Sequence, residues 1–228
     1  MRPYGQFCPV AKAAEIFAER WTPLIVRELL LGSHRFRELE MGLPGIPRSL
    51  LVSRLRSLER AGVVVRRPFG RRTEYDLTAA GGDLYEVVMR LGEWGQRWVN
   101  HEIGDADLDP SLLMWDMRRR VNVDRLPEQR VVVQVDFLGA KTGTFWLVLE
   151  KPDPSVCLTD PGFDVDLVVT ADTLALHQVW MGQESLEHAL RARLVRVEGP
   201  SKLARAFPRW LALSTFAAIK PASPVVAG

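Results

Sequence analysis

Between residues 48 and 74 the chain holds eight arginines and two glutamates. Guanidinium groups fork onto phosphate oxygens or onto the O6/N7 edge of guanine, so a cluster of this kind points to a polyanion. Within that stretch Leu51, Leu55 and Leu58 recur at i, i+4 and i+7, the spacing of a stripe that a helix buries. At 100° per residue, Ser49, Ser53, Arg56 and Arg60 fall on the opposite side, with Val52 and Arg54 at the flanks. That side offers guanidinium and hydroxyl donors and one apolar group, the chemistry that reads base edges in a groove. Farther along, Arg66, Arg67, Arg71 and Arg72 surround Gly70 at what reads as a hairpin tip. Such a loop reaches across phosphates into an adjacent minor groove. Arginine makes up 25 of the 30 basic residues, so composition alone enriches any segment. The discriminating feature is the order of parts: helix, glycine turn, second helix, basic hairpin.

Other chemistry is sparse. His34, His101, His177 and His188 lie on separate elements, and no pair has metal-ligand spacing with a cysteine or carboxylate. There is no G-x-S-x-G elbow and no phosphate-cradling glycine loop. The sequence therefore predicts no enzyme, no cofactor and no metal. The two cysteines cannot form a disulfide framework and suit a reducing compartment. Cys8, near Lys12 and a helix start, is in a setting that lowers a thiol's pKa and is a candidate thiol sensor, against the alternative of an inert half-buried cysteine. Cys157 falls in a strand pattern and reads as core.

The elements that must position these residues fill a chain of 228 residues, 47% hydrophobic and 25% charged, which suits two globular domains. No apolar run approaches the ~20 residues needed to span a bilayer, and Met1–Gly5 lacks the apolar region of a secretory signal, so a cytoplasmic location is expected. Residues 1–100 carry 16 basic and 11 acidic side chains, residues 101–228 carry 14 and 17, so only the first half favours a polyanion.

Val10–Ala18 has helical spacing, and Thr22 as N-cap with Pro23 behind it opens a second helix that stops at Gly32. A short helix carries Phe36 and Leu39. A fourth opens at Pro47 and ends near Gly62. Val63–Arg67 and Thr73–Leu77 pair around the glycine loop, and Thr78 caps a helix reaching about Asn100. In that helix Leu84, Val87, Leu91, Trp94 and Trp98 alternate spacings of three and four, the seam of a helix–helix interface. A two-fold dimer built on it would set two reading helices about one DNA turn apart on a pseudo-palindrome.

The Asp-rich segment from Ile103 to Pro110 reads as a linker. Beyond Arg130, alternating valines at 131, 133 and 135 lead to Phe137, with further strands at Phe145–Leu149, Val156–Leu158, Val165–Thr170 and Leu194–Val197. Helices are expected at Thr173–Met181 and Lys202–Leu213. The fold class is α+β, with an N-terminal winged helix-turn-helix domain and a C-terminal domain whose sheet is mostly antiparallel and covered by helices. The expected domains are 1–102 for DNA binding and dimerisation, 103–128 as linker with a helical segment, 129–220 as an α+β domain, and 221–228 as a frayed tail.

Residues 8–98 resemble the HxlR-type winged helix-turn-helix regulators of bacteria. The resemblance is carried by Cys8-Pro9-Val10, Arg20-Trp21-Thr22-Pro23-Leu24-Ile25 and Arg35-Phe36-Arg37-Glu38-Leu39. It continues through Leu43–Leu51, Arg54–Glu59, Glu74–Thr78, Gly81 and Trp94-Gly95. The family often has Gly-Lys ahead of the tryptophan, where Glu19-Arg20 stand here. The resemblance implies a homodimeric DNA-binding transcription regulator with residues 47–60 as recognition helix. It adds Arg35, Arg37, Pro47 and Arg48 to Ser49, Val52, Ser53, Arg54, Arg56, Arg71 and Arg72 as DNA-contacting candidates, and implies that a cysteine such as Cys8 senses oxidants or electrophiles in some members.

The order of elements over residues 130–215 resembles the sterol-carrier-protein-2-like fold. That implies an apolar tunnel between sheet and helices, with Phe137, Phe145, Trp146, Phe163, Trp180, Met181, Phe207, Trp210 and Phe216 as candidate walls and a hydrophobic small molecule as effector. The alternative for each aromatic is plain core packing. Two other functions compete with a ligand-sensing regulator: a carrier whose helix-turn-helix makes protein contacts, and an enzyme fused to a DNA-binding domain.

Overall fold

Three leucines decide where the reading helix sits. Leu51, Leu55 and Leu58 are at most 2% exposed and anchor α4 (Arg48–Arg60) on a core that includes Ile25, Val26, Leu39 and Leu43. Burying each such side chain contributes about 1.5–3 kcal/mol. The computed structural model describes residues 3–70, 72–99 and 103–222. The chain divides into two units, residues 1–92 and 93–228.

In the first unit, α1 (Pro9–Phe17), α2 (Thr22–Leu30) and α3 (Phe36–Gly42) precede α4. The strands β1 (Val64–Phe69) and β2 (Arg72–Leu77) follow, paired antiparallel from Val64↔Leu77 to Phe69↔Arg72. Pro47 flanks α4 in extended backbone, and Gly62, at φ +72°, turns the chain out of it in a conformation that favours glycine. The hairpin is tied to that end: Thr78 donates its hydroxyl to the Gly62 carbonyl at 2.6 Å and its N–H to the Val63 carbonyl at 3.0 Å.

Two local readings are corrected. Trp21, at φ +76°, flanks α2, while buried Thr22 is its first helical residue rather than its cap. The helix expected from Thr78 is split into α5 (Ala79–Gly82), capped by Thr78, and α6 (Tyr85–Trp98). Gly81 lies so close to the Val63 carbonyl that a Cβ there would sit 2.2 Å from its oxygen. Asn100, where the single helix was expected to end, falls outside the described residues.

The second unit starts its core earlier than the sequence suggests. Asp109 caps α7 (Pro110–Arg119) by accepting the N–H groups of Ser111 and Leu112 at 2.9 and 3.1 Å. Leu113, Met114 and Met117 of this helix are buried in the same cluster as the sheet, so part of the segment read as linker supplies core. The strands are β3 (Val131–Leu138), β4 (Gly143–Leu149), β5 (Ser155–Cys157), β6 (Leu167–Asp172) and β7 (Val195–Glu198), in the order β5-β4-β3-β6-β7. β3 and β6 are parallel, while the other three pairings are antiparallel, so the sheet is mixed. From the edge strand β5 the chain recrosses the sheet and adds β6 on the far side of β3, which aligns the two.

Asp172 caps α8 (Thr173–Trp180) and Ser185 caps α9 (Leu186–Arg191). The six residues of α9 are too short to show periodicity, and the sequence reading missed them. The helix expected over Lys202–Leu213 is shorter: α10 spans Ser201–Ala206, and with Pro208 lacking an N–H the chain continues as a 3-10 turn, Phe207–Arg209.

Candidate nucleic-acid interface

The face of α4 opposite its leucines presents Pro47, Arg48, Ser49, Ser53 and Arg56 to solvent, with Val52 half-buried at its side. Residues 48–58 contain no carboxylate. Arg48 lies 3.4 Å from Glu40 and over the Phe36 ring at 5.1 Å, a surface pairing that water screens and that leaves the guanidinium reachable. Arg56 makes no ion pair among the described residues. Arg54 departs from expectation. Its side chain, 20% exposed, turns back to Glu19 at 2.7 Å and donates from Nε to the Arg20 carbonyl at 3.1 Å. One position before buried Leu55, it meets the α1–α2 turn, where Glu19 neutralises it. It is a brace for α4.

On the wing, Arg66, Arg67 and Arg72 are exposed, and Arg71 lies outside the described residues. The acids of the hairpin are committed at its base. Asp76 pairs with His34 at 2.8 Å and Arg67 at 3.5 Å, and Glu74 accepts from Arg35 Nε at 3.1 Å. Arg35 thereby ties the start of α3 to β2, while exposed Arg37 points away from the core. Glu38 accepts the backbone N–H groups of His34 and Arg35 at 2.8 and 2.9 Å and fixes that turn. Beneath them Glu28 is fully buried, 2.9 Å from the Arg27 guanidinium and 3.1 Å from the Ser33 hydroxyl, and Arg27 reaches the Gly42 carbonyl at 3.1 Å. This polar cluster holds α2 against the end of α3. Phe69, 58% exposed at the tip, was not among the residues singled out from sequence. An aromatic beside a glycine between arginines was the available signal.

The model of the HxlR-like helix-turn-helix family matches residues 16–103. The HTH-type transcriptional regulator YvaP of Bacillus subtilis (strain 168) is 38% identical over 100 residues, which cover 42% of this chain and 93% of YvaP. The chain belongs to the HxlR-like helix-turn-helix family. An HTH-type transcriptional regulator of Mycobacterium tuberculosis (strain ATCC 25618 / H37Rv) is 44% identical over 93 residues, and the match spans 40% of this chain and only 58% of that relative. Among solved structures, the reduced form of the transcriptional regulator YodB from B. subtilis is 27% identical over 43% of this chain and 100% of YodB, with a TM-score of 0.38. The redox regulator HypR in its reduced form is 30% identical over 39% of this chain and 90% of that one, with a TM-score of 0.37.

In this HxlR-like chain the seam residues divide. Leu84 is half-buried against the first unit's core, whereas Val87, Leu91, Trp94 and Trp98 form an exposed stripe along α6. Cys8 immediately precedes α1 and is half-buried. The Lys12 ammonium expected to act on it is engaged 3.1 Å from Glu15. The Glu15 carboxyl is held below its usual range first by the Tyr4 N–H and then by Lys12.

The second unit, which the family model leaves almost untouched, encloses an apolar cavity of about 380 Å³. Its floor is Val135, Val169 and Val195 from three neighbouring strands. Its walls include Met117, Leu176, Val179, Trp180 and Phe207. Of the expected wall residues only Trp180 and Phe207 line it. Phe137 and Phe145 pack edge-to-face at 5.6 Å in the core, and Trp210 packs against Phe207 in the same way at 6.2 Å. Trp146 is a half-buried neighbour of Cys157 in the β4–β5 pairing, and Phe163 is exposed beneath the Arg130 guanidinium at 3.6 Å. Met181 packs at the periphery of the core, and Phe216 is half-buried on the C-terminal stretch. The missed lining includes the three strand valines and the aliphatic side chains of α7 and α8, which read as ordinary core. Among the described residues no group of histidine, cysteine and carboxylate could hold a metal, and no helix is long and apolar enough to cross a membrane.

Proposed function

We propose that the chain is a homodimeric transcription regulator that binds duplex DNA through α4 and the wing and senses an apolar small molecule through its second unit. The observation that carries the DNA reading is the set of exposed donors on one face of α4, Arg48, Ser49, Ser53 and Arg56, together with the exposed arginines of β1 and β2. Arg48, Ser49 and Ser53 face base edges in the major groove, and Arg56 and the wing arginines grip phosphates. The α6 stripe supplies the two-fold contact that sets two copies of α4 on half-sites.

The test is fluorescence anisotropy with duplexes selected from a random-sequence pool. Affinity should fall linearly on a log–log plot of salt, and Arg56→Ala and Arg72→Ala should each reduce the slope by about 1 if each side chain meets a phosphate. A full-length chain that binds no duplex at low salt overturns the reading.

The cavity favours the effector. Its volume lies in the range of small-molecule sites, and its lining is apolar apart from Glu184 and Ser185 at one end. Decanoate or naphthalene bound there should raise the melting temperature of the wild type. Val179→Phe, which fills the cavity, should abolish the shift. An equal shift in both proteins places the ligand elsewhere.

A further inference from the structure

We propose that Phe69 is an apolar wedge that enters the minor groove and opens a deformable base step beside each half-site. This rests on the reading of α4 and the wing as the duplex-binding surface, and it adds a source of sequence preference that α4 does not supply.

Phe69 is the last residue of β1, across from Arg72, and its ring is 58% exposed. It belongs to neither buried cluster nor to the apolar residues packed against them. A turn needs no aromatic there, since Gly70 supplies the left-handed backbone at φ +59°. Pro68, next to it, has a fixed φ and no N–H, so the tip is stiff where the ring projects. Strand alternation puts Phe69 on the same side as Arg67 and Arg72, and exposed Arg66, three residues back, on the other side. The nearest carboxylates, Glu74 and Asp76, are already paired toward the base of the wing. The ring is therefore flanked on its own face by Arg67 and Arg72, and the nearest carboxylate on that face, Glu74, is already paired with Arg35.

That combination is complementary to a narrow groove walled by two rows of phosphates. The arginines grip the rims, and the ring is driven between bases by loss of water. Apolar side chains that enter the minor groove partly unstack one base step, and pyrimidine–purine steps (TA, CA/TG) open most easily. The preferred occupant is accordingly duplex DNA with such a step outside the base pairs under α4.

The experiment selects duplexes from a random-sequence pool with the full-length wild type, Phe69→Ala and Phe69→Leu. The wild type should enrich a pyrimidine–purine step at a fixed distance outside each half-site. Phe69→Ala should lose that flanking preference yet enrich the same inner bases, which also shows that the variant folds. Phe69→Leu, still an apolar wedge, should keep it. On the wild-type consensus, Phe69→Ala should bind roughly tenfold more weakly, the size of one lost base-pair contact. Identical flanking preferences in wild type and Phe69→Ala overturn the wedge while leaving the α4 reading intact. Failure of the wild type to enrich any duplex overturns the DNA reading beneath it.

Discussion

Arg54 and Arg56 show how two residues of one type, two positions apart on one helix, serve different ends. Arg54 lies at the flank of the buried stripe and reaches Glu19 and the Arg20 carbonyl. Arg56 faces away from the core and is exposed. Removing Arg54 breaks a short, mostly shielded ion pair and leaves the partner carboxylate unneutralised, a loss of about 1–2 kcal/mol. Arg54→Ala should therefore lower the urea midpoint of the first unit and leave the salt slope of DNA binding unchanged, the opposite of the pattern expected for Arg56→Ala. A stable Arg54→Ala chain with a reduced slope would return Arg54 to the interface. Periodicity placed Arg54 only approximately, because a long side chain at a flank goes to whichever side holds its counter-charge.

At the scale of elements, legibility followed length and punctuation. The leucine stripe of α4, with Pro47 ahead and Gly62 behind, made that helix readable to within a residue, and the arginine-flanked glycine made the wing readable. The three valines alternating along β3 did the same for the sheet. What the sequence hid were features set by distant partners: the break after α5, where Gly81 meets Val63, the six-residue α9, and the parallel β3–β6 pair. The cavity was foreseen as apolar but not its walls, since aromatic content marks core and cavity alike. For α6 the exposed stripe carries a prediction. Its four residues, two of them tryptophans, would cover a large apolar area in a two-fold contact, and a charge at its centre would be buried without a partner. Leu91→Glu should shift the chain from dimer to monomer in sedimentation equilibrium and weaken operator binding by at least tenfold, with the melting temperature of the first unit little changed. A wild-type chain that sediments as a monomer, or a variant that remains dimeric, removes α6 as the interface.

The whole molecule joins a basic unit to an acidic one, each with its own buried cluster, and the two should respond differently to pH. In the second unit His177 on α8 is held near its Thr173 carbonyl, with Nδ1 2.7 Å from the oxygen. Burial lowers its pKa from the ordinary 6.5, opposed more weakly by hydrogen bonds to the Thr173 and Asp109 backbones and by the Asp109 charge. A histidine whose folded pKa is depressed binds fewer protons folded than unfolded. Its neutral form contributes stability fully above the unfolded pKa, and that contribution is lost as pH falls through 6.5 toward the folded value. The second unit's calorimetric transition should thus move down between about pH 7.5 and 5.5. His177→Asn keeps a donor near the Nδ1 position and cannot titrate, so its transition should be flatter across that window. An unchanged pH response in His177→Asn would assign the effect to carboxylates. Because Asp109 caps α7, which lends Met117 to the cavity wall, while α8 lends Leu176 and Val179, protonating His177 should also loosen the cavity. The decanoate-induced rise in melting temperature should shrink at the lower pH in the wild type and persist in His177→Asn.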